Sequence, residues 1–139
     1  MPGTDTTRHA PGGSKTAAIS NLTVRLLNQY TGRGPTKART HIHDDLVTVV
    51  LRDTLTKGEQ VLVDNDRGEL VLTTRKTFQD VMGDDLVAGI EQILNRKVIA
   101  FLSANHIDPD IAIESFILAP DDQPAPQLND TRQNGAGTP

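Results

Sequence analysis

The sequence contains no cysteine and no tryptophan, and only one Tyr and three Phe among 139 residues. Without cysteine, disulfides, thiolate metal sites and a cysteine nucleophile are excluded, so stability must come from packing. So few aromatic rings argue against a surface that stacks nucleic-acid bases. Long apolar runs are also missing, and stretches such as residues 98–102 are far too short to span a bilayer. We therefore expect no membrane-spanning segment and no nucleic-acid partner.

Positive charge is scarcer than negative charge. The chain has 14 Lys+Arg against 18 Asp+Glu, a net charge of −4, which argues against a protein built to coat nucleic acid or an anionic membrane. The N-terminal residues lack the apolar core of a signal peptide. Together with the missing cysteines, this composition predicts a soluble, cytoplasmic protein, and no motif calls for a cofactor.

The length fits one domain, which can bury about two thirds of the surface that its unfolded chain exposes. Residues 1–15 and 120–139 are rich in Pro, Gly, Thr, Asp and Asn and show no apolar periodicity. Such segments cannot bury enough apolar surface to offset the entropy of ordering. The sequence thus predicts two disordered tails around a single domain over residues 16–119.

Apolar residues recur at helical spacing from Ile19 to Tyr30, and Gly32 follows as a residue that can adopt the left-handed conformation at a helix end. Two runs rich in β-branched residues then surround Asp44 and Asp45, and two more surround residues 107–110. Aspartate and proline favour turns at such positions. The pattern predicts a helix followed by one hairpin, and a second hairpin near the other end of the domain.

Residues 60–74 fit either a third hairpin or a helix. Alternating Val61 and Val63 favour strands, whereas Thr56 and Glu59 have the spacing of a helix capping box. We favour the helix, with Leu70, Thr74, Phe78 and Val81/Met82 on one helical face, and a second amphipathic helix after Asp84-Asp85. The expected architecture is a two-layer α+β fold of order α-β-β-α-α-β-β, with the helices on one face of a four-stranded, mostly antiparallel sheet built from two hairpins.

Several short motifs occur in a recognisable order: Gly32-x-Gly34-Pro35, Leu55-Thr56-x-x-Glu59, Arg75 and Asp108. Over residues 21–118 the chain resembles the MpsC family, which is named after a sodium-translocating, membrane-potential-generating system. The resemblance implies helical structure through residues 59–78. It also implies a small non-enzymatic accessory or regulatory protein associated with a sodium or bicarbonate transport system, with a membrane transporter component as partner. It brings no catalytic residues.

The loop over residues 29–45 joins the first helix to the first strand and carries several basic residues. A phosphate-binding P-loop needs the opposite order, strand then helix, and a Gly-Lys pair that this loop lacks. The alternatives are a helix cap followed by a proline-rigidified turn, and a small anion- or partner-binding module built on the basic turn from Gly32 to Arg39. The candidate binding residues are Gly32, Arg33, Gly34, Lys37, Arg39 and Arg75.

Three histidines raise the weaker alternative of a metalloprotein. His41 and His43 would project from the same face of a strand, and His106 could lie at the end of a neighbouring strand. They could equally form the polar outer face of the sheet, since spacing fixes no third ligand. The Asp pairs at 44/45 and 108/110 fall in turns, and no serine has a histidine placed by a catalytic motif. Enzyme function therefore has no positive support.

Both faces of the predicted sheet carry apolar residues. If Val47, Val49 and Leu51 face the helices, Leu46 and Val50 face away. An antiparallel sheet with one solvated face should show polar residues there. The surplus predicts a homodimer. Its interface is expected to contain Leu46, Val50 and one of the sets Ile99/Phe101 or Val98/Leu102.

Overall fold

The computed structural model describes residues 11–120. Its elements are helix α1 (Pro11–Thr31), strands β1 (Lys37–His43) and β2 (Leu46–Arg52), helices α2 (Lys57–Asp64) and α3 (Gly68–Leu94), and strands β3 (Val98–His106) and β4 (Ile111–Leu118). This order confirms the predicted α+β architecture. Helix α1 begins at Pro11, inside the segment that the sequence assigns to the N-terminal tail. The remaining tail predictions, for residues 1–10 and 121–139, lie outside the described residues.

The four strands form one antiparallel sheet in the order β1-β2-β4-β3. Side chains that point to the helices are fully buried, among them Val47, Val49, Leu51 and Phe116. Because β4 pairs with both β2 and β3, the two hairpins are joined in the middle of the sheet. The helices pack on one face, as predicted, and the opposite face is left without a covering element among the described residues.

Helices α1 and α3 supply the core opposite the sheet. Ile19 and Leu27 of α1 and Met82, Leu86 and Ile90 of α3 are at most 3% exposed. At Gly89 the two helices approach so closely that an added Cβ would collide with the Leu22 side chain. Helix α1 ends as predicted, since Gly32 has φ 83° and its N–H donates to the Asn28 carbonyl at 2.8 Å.

The segment 60–74 is helical, which confirms the favoured interpretation. The break between the two helical segments lies at residues 65–67, where Asp66 has φ 62°, whereas the chain stays helical through Asp84-Asp85. The expectation of a helix start after Asp84-Asp85 was therefore wrong. Asp85 accepts a hydrogen bond from the Tyr30 hydroxyl at 2.7 Å instead of capping a helix. Gly83 lies inside α3, where an added Cβ would be 3.0 Å from the Phe101 ring.

The core face of α3 also differs from the predicted one. Its buried residues are Val71, Arg75, Gln79, Met82, Gly83, Leu86 and Ile90. Of the residues expected on one face, Met82 is fully buried, whereas Leu70 and Val81 are 51% and 59% exposed. The reason is that Arg75 and Gln79, two polar residues, occupy core positions on α3. A core face predicted from apolar residues alone is therefore rotated by about one residue around the helix.

Strand β3 carries an irregularity that interrupts side-chain alternation. Its register against β4 shifts between Val98 and Ala100. As a result Val98 and Phe101 both pack against the core, while Leu102 is 57% exposed on the other face. The two sets Val98/Ala100/Leu102 and Ile99/Phe101 expected from strict alternation do not exist, because a bulge adds one residue to one strand of the pair.

Candidate functional site

The sheet face that points away from the helices is termed the uncovered face. Four rows of paired residues cross it from β1 to β3. The rows are Lys37, Arg52, Ile111, His106; Arg39, Val50, Ile113, Ala104; His41, Thr48, Ser115, Leu102; and His43, Leu46, Ile117, Ala100. Exposed apolar side chains are spread over it: Leu46 is 40% exposed, Ile113 36% and Leu102 57%.

Charge on the uncovered face is of one sign. Its rows contain Lys37, Arg39 and Arg52 and no Asp or Glu, although the whole chain has a net charge of −4. The nearest acidic residues along the chain lie in the turns at the two ends of the sheet. The acidic residues of α2 and α3 lie on the opposite, helical side. The helical side carries charges of both signs, whereas the rows of the uncovered face carry only positive ones.

The three cations border one concavity, which we name the basic groove. It has a volume of about 360 Å³ and is lined by Lys37, Ala38, Arg39, His41, Val50 and Arg52. Strands β1 and β2 hold these side chains together because Lys37 pairs with Arg52, and Arg39 with Val50. A concave site with convergent cations and an apolar floor is suited to an anionic group that carries apolar atoms.

The structure divides the candidate residues of the basic turn. Lys37 and Arg39 line the basic groove, whereas Arg33 donates to the Asp53 carboxylate at 2.8 Å and to the Leu55 carbonyl at 3.2 Å. Gly32 and Gly34 shape the turn. Sequence reasoning missed Arg52. Arg52 could have been found from the sequence, because a hairpin that turns at Asp44-Asp45 pairs residue 52 with residue 37.

Arg75 is bound within the fold. Its side chain is 3% exposed, and it donates from Nε and Nη2 to the Glu59 carboxylate at 3.0 and 2.7 Å and from Nη2 to the Thr54 carbonyl. Glu59 belongs to the capping box of α2, in which the Glu59 N–H donates to Thr56 Oγ1 at 3.1 Å. The guanidinium therefore joins α2, α3 and the loop after β2, away from the basic groove.

The three histidines do not converge. His41 and His43 share a face of β1 as expected, but His106 lies on β3, at the opposite edge of the sheet rather than on a neighbouring strand. Two strands intervene, so β1 and β3 are about 14 Å apart. His106 Nδ1 lies 2.8 Å from the Pro109 carbonyl. Within residues 11–120, no group of three or more His, Cys, Asp or Glu is arranged to hold a metal ion.

Of the paired aspartates, Asp110 has a structural function. It accepts hydrogen bonds from Thr54 Oγ1 at 2.9 Å and from the Leu55 N–H at 2.8 Å. It thereby ties the β3–β4 turn to the loop after β2. Asp44 sits in the β1–β2 turn with φ 53°, a conformation that aspartate tolerates better than most residues. Turn chemistry accounts for Asp44, and contacts with a distant loop account for Asp110.

A buried polar cluster lies between α3 and the sheet. Glu114 is 1% exposed, and its carboxylate accepts hydrogen bonds from Ser103 Oγ and, at 2.9 Å, from Gln79 Nε2. Asn105 Nδ2 donates to Gln79 Oε1 at 2.8 Å. Burial raises the pKa of Glu114 to about 7, against the lowering effect of these hydrogen bonds and of Arg75. Sequence reasoning missed this cluster, although alternation along β4 would have placed Glu114 between inward-facing Ala112 and Phe116.

No helix within residues 11–120 is both long and apolar enough to cross a membrane. The model of one family matches residues 12–120, and its description is Na+-translocating membrane potential-generating system (MpsC). No curated protein and no solved structure matches the chain. Since the matched region includes nearly every described residue of the fold, the chain belongs to the MpsC family.

Proposed function

We propose that this protein is a non-enzymatic accessory or regulatory component of a membrane ion-transport system, acting in the cytoplasm through its uncovered face. The family description supports the link to a sodium-translocating, membrane-potential-generating system. The composition of the uncovered face supports a binding function, because the face combines exposed apolar side chains with three cations and no acidic residue in its rows.

The contacts and burial of Arg75, Asp110 and Glu114 support a binding function rather than catalysis. Arg75 and Asp110 are engaged in contacts that hold the fold together. Glu114 is shielded behind the sheet, with 1% of its surface exposed. A substrate would have no direct access to these groups, whereas the basic groove and its apolar surroundings are open to a partner.

Co-purification from native membranes tests the accessory role. Tagged protein is expected to retain a transport component after mild detergent extraction, and Val50→Glu in the centre of the uncovered face should release it. Val61→Glu is the matched control, because Val61 is 55% exposed on α2, on the helical side. Equal loss with both variants, or no transport component with the unaltered protein, would contradict the proposal.

A homodimer stays a prediction, and we propose an interface on α3 in place of the one expected to contain Leu46 and Val50. Burying the uncovered face against a second copy would desolvate three cations per protomer with no acidic residue in the facing rows. Helix α3 offers an uncharged, exposed row instead, formed by Leu70, Thr74, Thr77 and Val81. We expect light scattering at tens of micromolar to show a dimer that Val81→Glu dissociates and Val50→Glu does not. A monomer at that concentration would contradict the prediction.

The basic groove also favours a second candidate function, a small anion-binding module. Replacing Lys37, Arg39 and Arg52 together by Ala should abolish calorimetrically measured binding of phosphate or bicarbonate. The melting temperature should change little, because exposed charges typically contribute under about 1 kcal/mol each. A triple substitution of Lys57, Arg67 and Lys76 removes the same charge from the helical side and should leave binding intact. Binding that survives the groove substitutions would argue against this function.

A further inference from the structure

The uncovered face is wide as well as charged. Four strands about 4.8 Å apart, each seven to nine residues long, span roughly 19 Å across and at least about 24 Å along the strands, at about 3.4 Å per residue. Exposed apolar residues occur on three of the strands, Leu46 on β2, Ile113 on β4 and Leu102 on β3. Ile99, at the bulge of β3, is 56% exposed. A partner that uses the whole face must therefore be broad and must offer both apolar contacts and negative charge.

The dimensions discriminate between partners. An added extended segment covers about 5 Å of this width, and a single helix about 10 Å. A second copy is broad enough but presents the same cations to a face that has no acidic side chain in its rows. An anionic lipid surface is broad, supplies phosphate groups to the cations, and offers an apolar boundary just below them.

We propose that the uncovered face docks on an anionic lipid bilayer. The cations Lys37, Arg39 and Arg52 contact lipid phosphates around the basic groove, and Leu46, Leu102 and Ile113 enter the boundary between headgroups and acyl chains. This inference rests on the proposed function, because it names the surface at which an accessory component meets its transport system.

The net charge of −4 argues against general binding to an anionic membrane, but the local charge of the uncovered face is positive. At physiological ionic strength electrostatic interactions between exposed charges decay over about 8 Å. The acidic residues of α2 and α3 lie behind the sheet, at least a helix diameter of about 10 Å from a surface that touches the uncovered face. Among the aspartates in the turns at the ends of the sheet, Asp45 is paired with Arg96 at 2.9 Å and Asp53 with Arg33 at 2.8 Å. Asp44 and Asp108 are exposed, so they reduce the positive charge at the ends of the face but do not cancel its three cations. The lipid surface therefore experiences mainly the local positive charge.

Flotation with vesicles tests the proposal on the full chain. We expect binding to vesicles of phosphatidylcholine mixed with phosphatidylglycerol, weakening as salt rises above about 0.1 M, and no binding to phosphatidylcholine alone. Replacing Lys37, Arg39 and Arg52 by Ala should lower the partition coefficient about a hundredfold, at about fivefold per cation. The helical-side substitution of Lys57, Arg67 and Lys76 should change it less than about threefold, because those charges face away.

A second pair of variants tests the apolar part of the contact with the bilayer. Leu102→Ser should weaken vesicle binding several-fold, whereas Val61→Ser, at a side chain of similar exposure on α2, should not. Circular dichroism and the melting temperature establish that each variant is folded. Equal losses from both sides of the molecule would overturn the proposal, since binding would then be unspecific.

Three further outcomes would overturn docking on a bilayer. Complete displacement from vesicles by inorganic phosphate at matched ionic strength would make the groove a site for free oxyanions. Dissociation of a dimer by Val50→Glu would assign the face to a second copy. Absence of vesicle binding, with co-purification of a transport component retained, would remove the lipid contact and leave the proposed function standing. Vesicle binding without any transport component would contradict the proposed function alone.

Discussion

Replacing Arg75 by Met is expected to destabilise the protein by about 3 to 5 kcal/mol, the usual cost of removing one partner of a buried ion pair. The Glu59 side chain is only 12% exposed and would keep its charge without the guanidinium that lies 2.7 Å from it. The Thr54 carbonyl would lose its donor as well. A buried acceptor or charge without a partner costs more than the hydrogen bond had contributed, because water cannot replace the lost group.

The effect should be concentrated at α2. None of the eight residues of this helix is buried, so packing contributes little to its position. Glu59 Oε1 accepts the Thr56 N–H at 2.8 Å, and the same carboxylate accepts from Arg75 of α3. Removing Arg75 would therefore weaken both the cap of α2 and its attachment to α3.

Denaturant-induced unfolding measures this loss. Lys76→Met is the matched control, because the adjacent Lys76 forms an exposed ion pair with Asp80 at 2.7 Å and should contribute under about 1 kcal/mol. The double variant Glu59→Gln with Arg75→Met should recover part of the loss, since it removes the unpaired charge. If Arg75→Met and Lys76→Met cost the same, the assignment of Arg75 as the attachment of α2 is wrong.

Glu114→Gln is expected to stabilise the protein by about 3 kcal/mol at pH 8 and to change its stability little below pH 4.5. The pKa of Glu114 is raised from its ordinary value of 4.5 to about 7 in the fold. The folded state therefore holds a proton that the unfolded chain releases between these values. The stabilising effect of this proton is fully present below pH 4.5 and is lost as pH rises through 7. A raised pKa of about 2.5 units corresponds to about 3 kcal/mol.

Glutamine retains the contacts that glutamate makes. Its carbonyl can accept from Gln79 Nε2, and its amide can donate to Ser103 Oγ, so only the charge is lost. Urea unfolding at several pH values between 4 and 8 gives the profile. Glu69→Gln at an exposed position in the first turn of α3 should show no comparable gain at high pH. Parallel profiles for both variants would show that Glu114 is not the group responsible.

The parts of the fold that sequence reasoning predicted correctly are those with local causes. The capping box of Thr56 and Glu59 forms as its spacing indicates, and Gly32 ends α1 in the left-handed conformation. The two hairpins follow from turn residues between β-branched runs. Such features depend on residues a few positions apart, so the chain itself carries the information.

The features that escaped prediction depend on residues far apart in sequence. Arg75 and Glu114 occupy core positions because partners 16 and 11 residues away, Glu59 and Ser103, satisfy them. The bulge in β3 is visible only in its register with β4. Two of the three cations of the basic groove, Lys37 and Arg39, were predicted as binding candidates from the basic turn. Arg52 was not predicted, because only the pairing of β1 with β2 brings it next to them.

Helix α2 has a consequence for local unfolding. A helix with no buried residue, tied to α3 mainly by one arginine, can detach without exposing the core formed by α1, α3 and the sheet. Segments of this kind open at a lower free energy than the whole domain. Amide hydrogens of residues 57–64 should therefore exchange with solvent well before those of residues 82–90. The region between β2 and α3 would then be a small independent opening unit, the part of the molecule that a protease or a binding partner can reach while the rest stays folded.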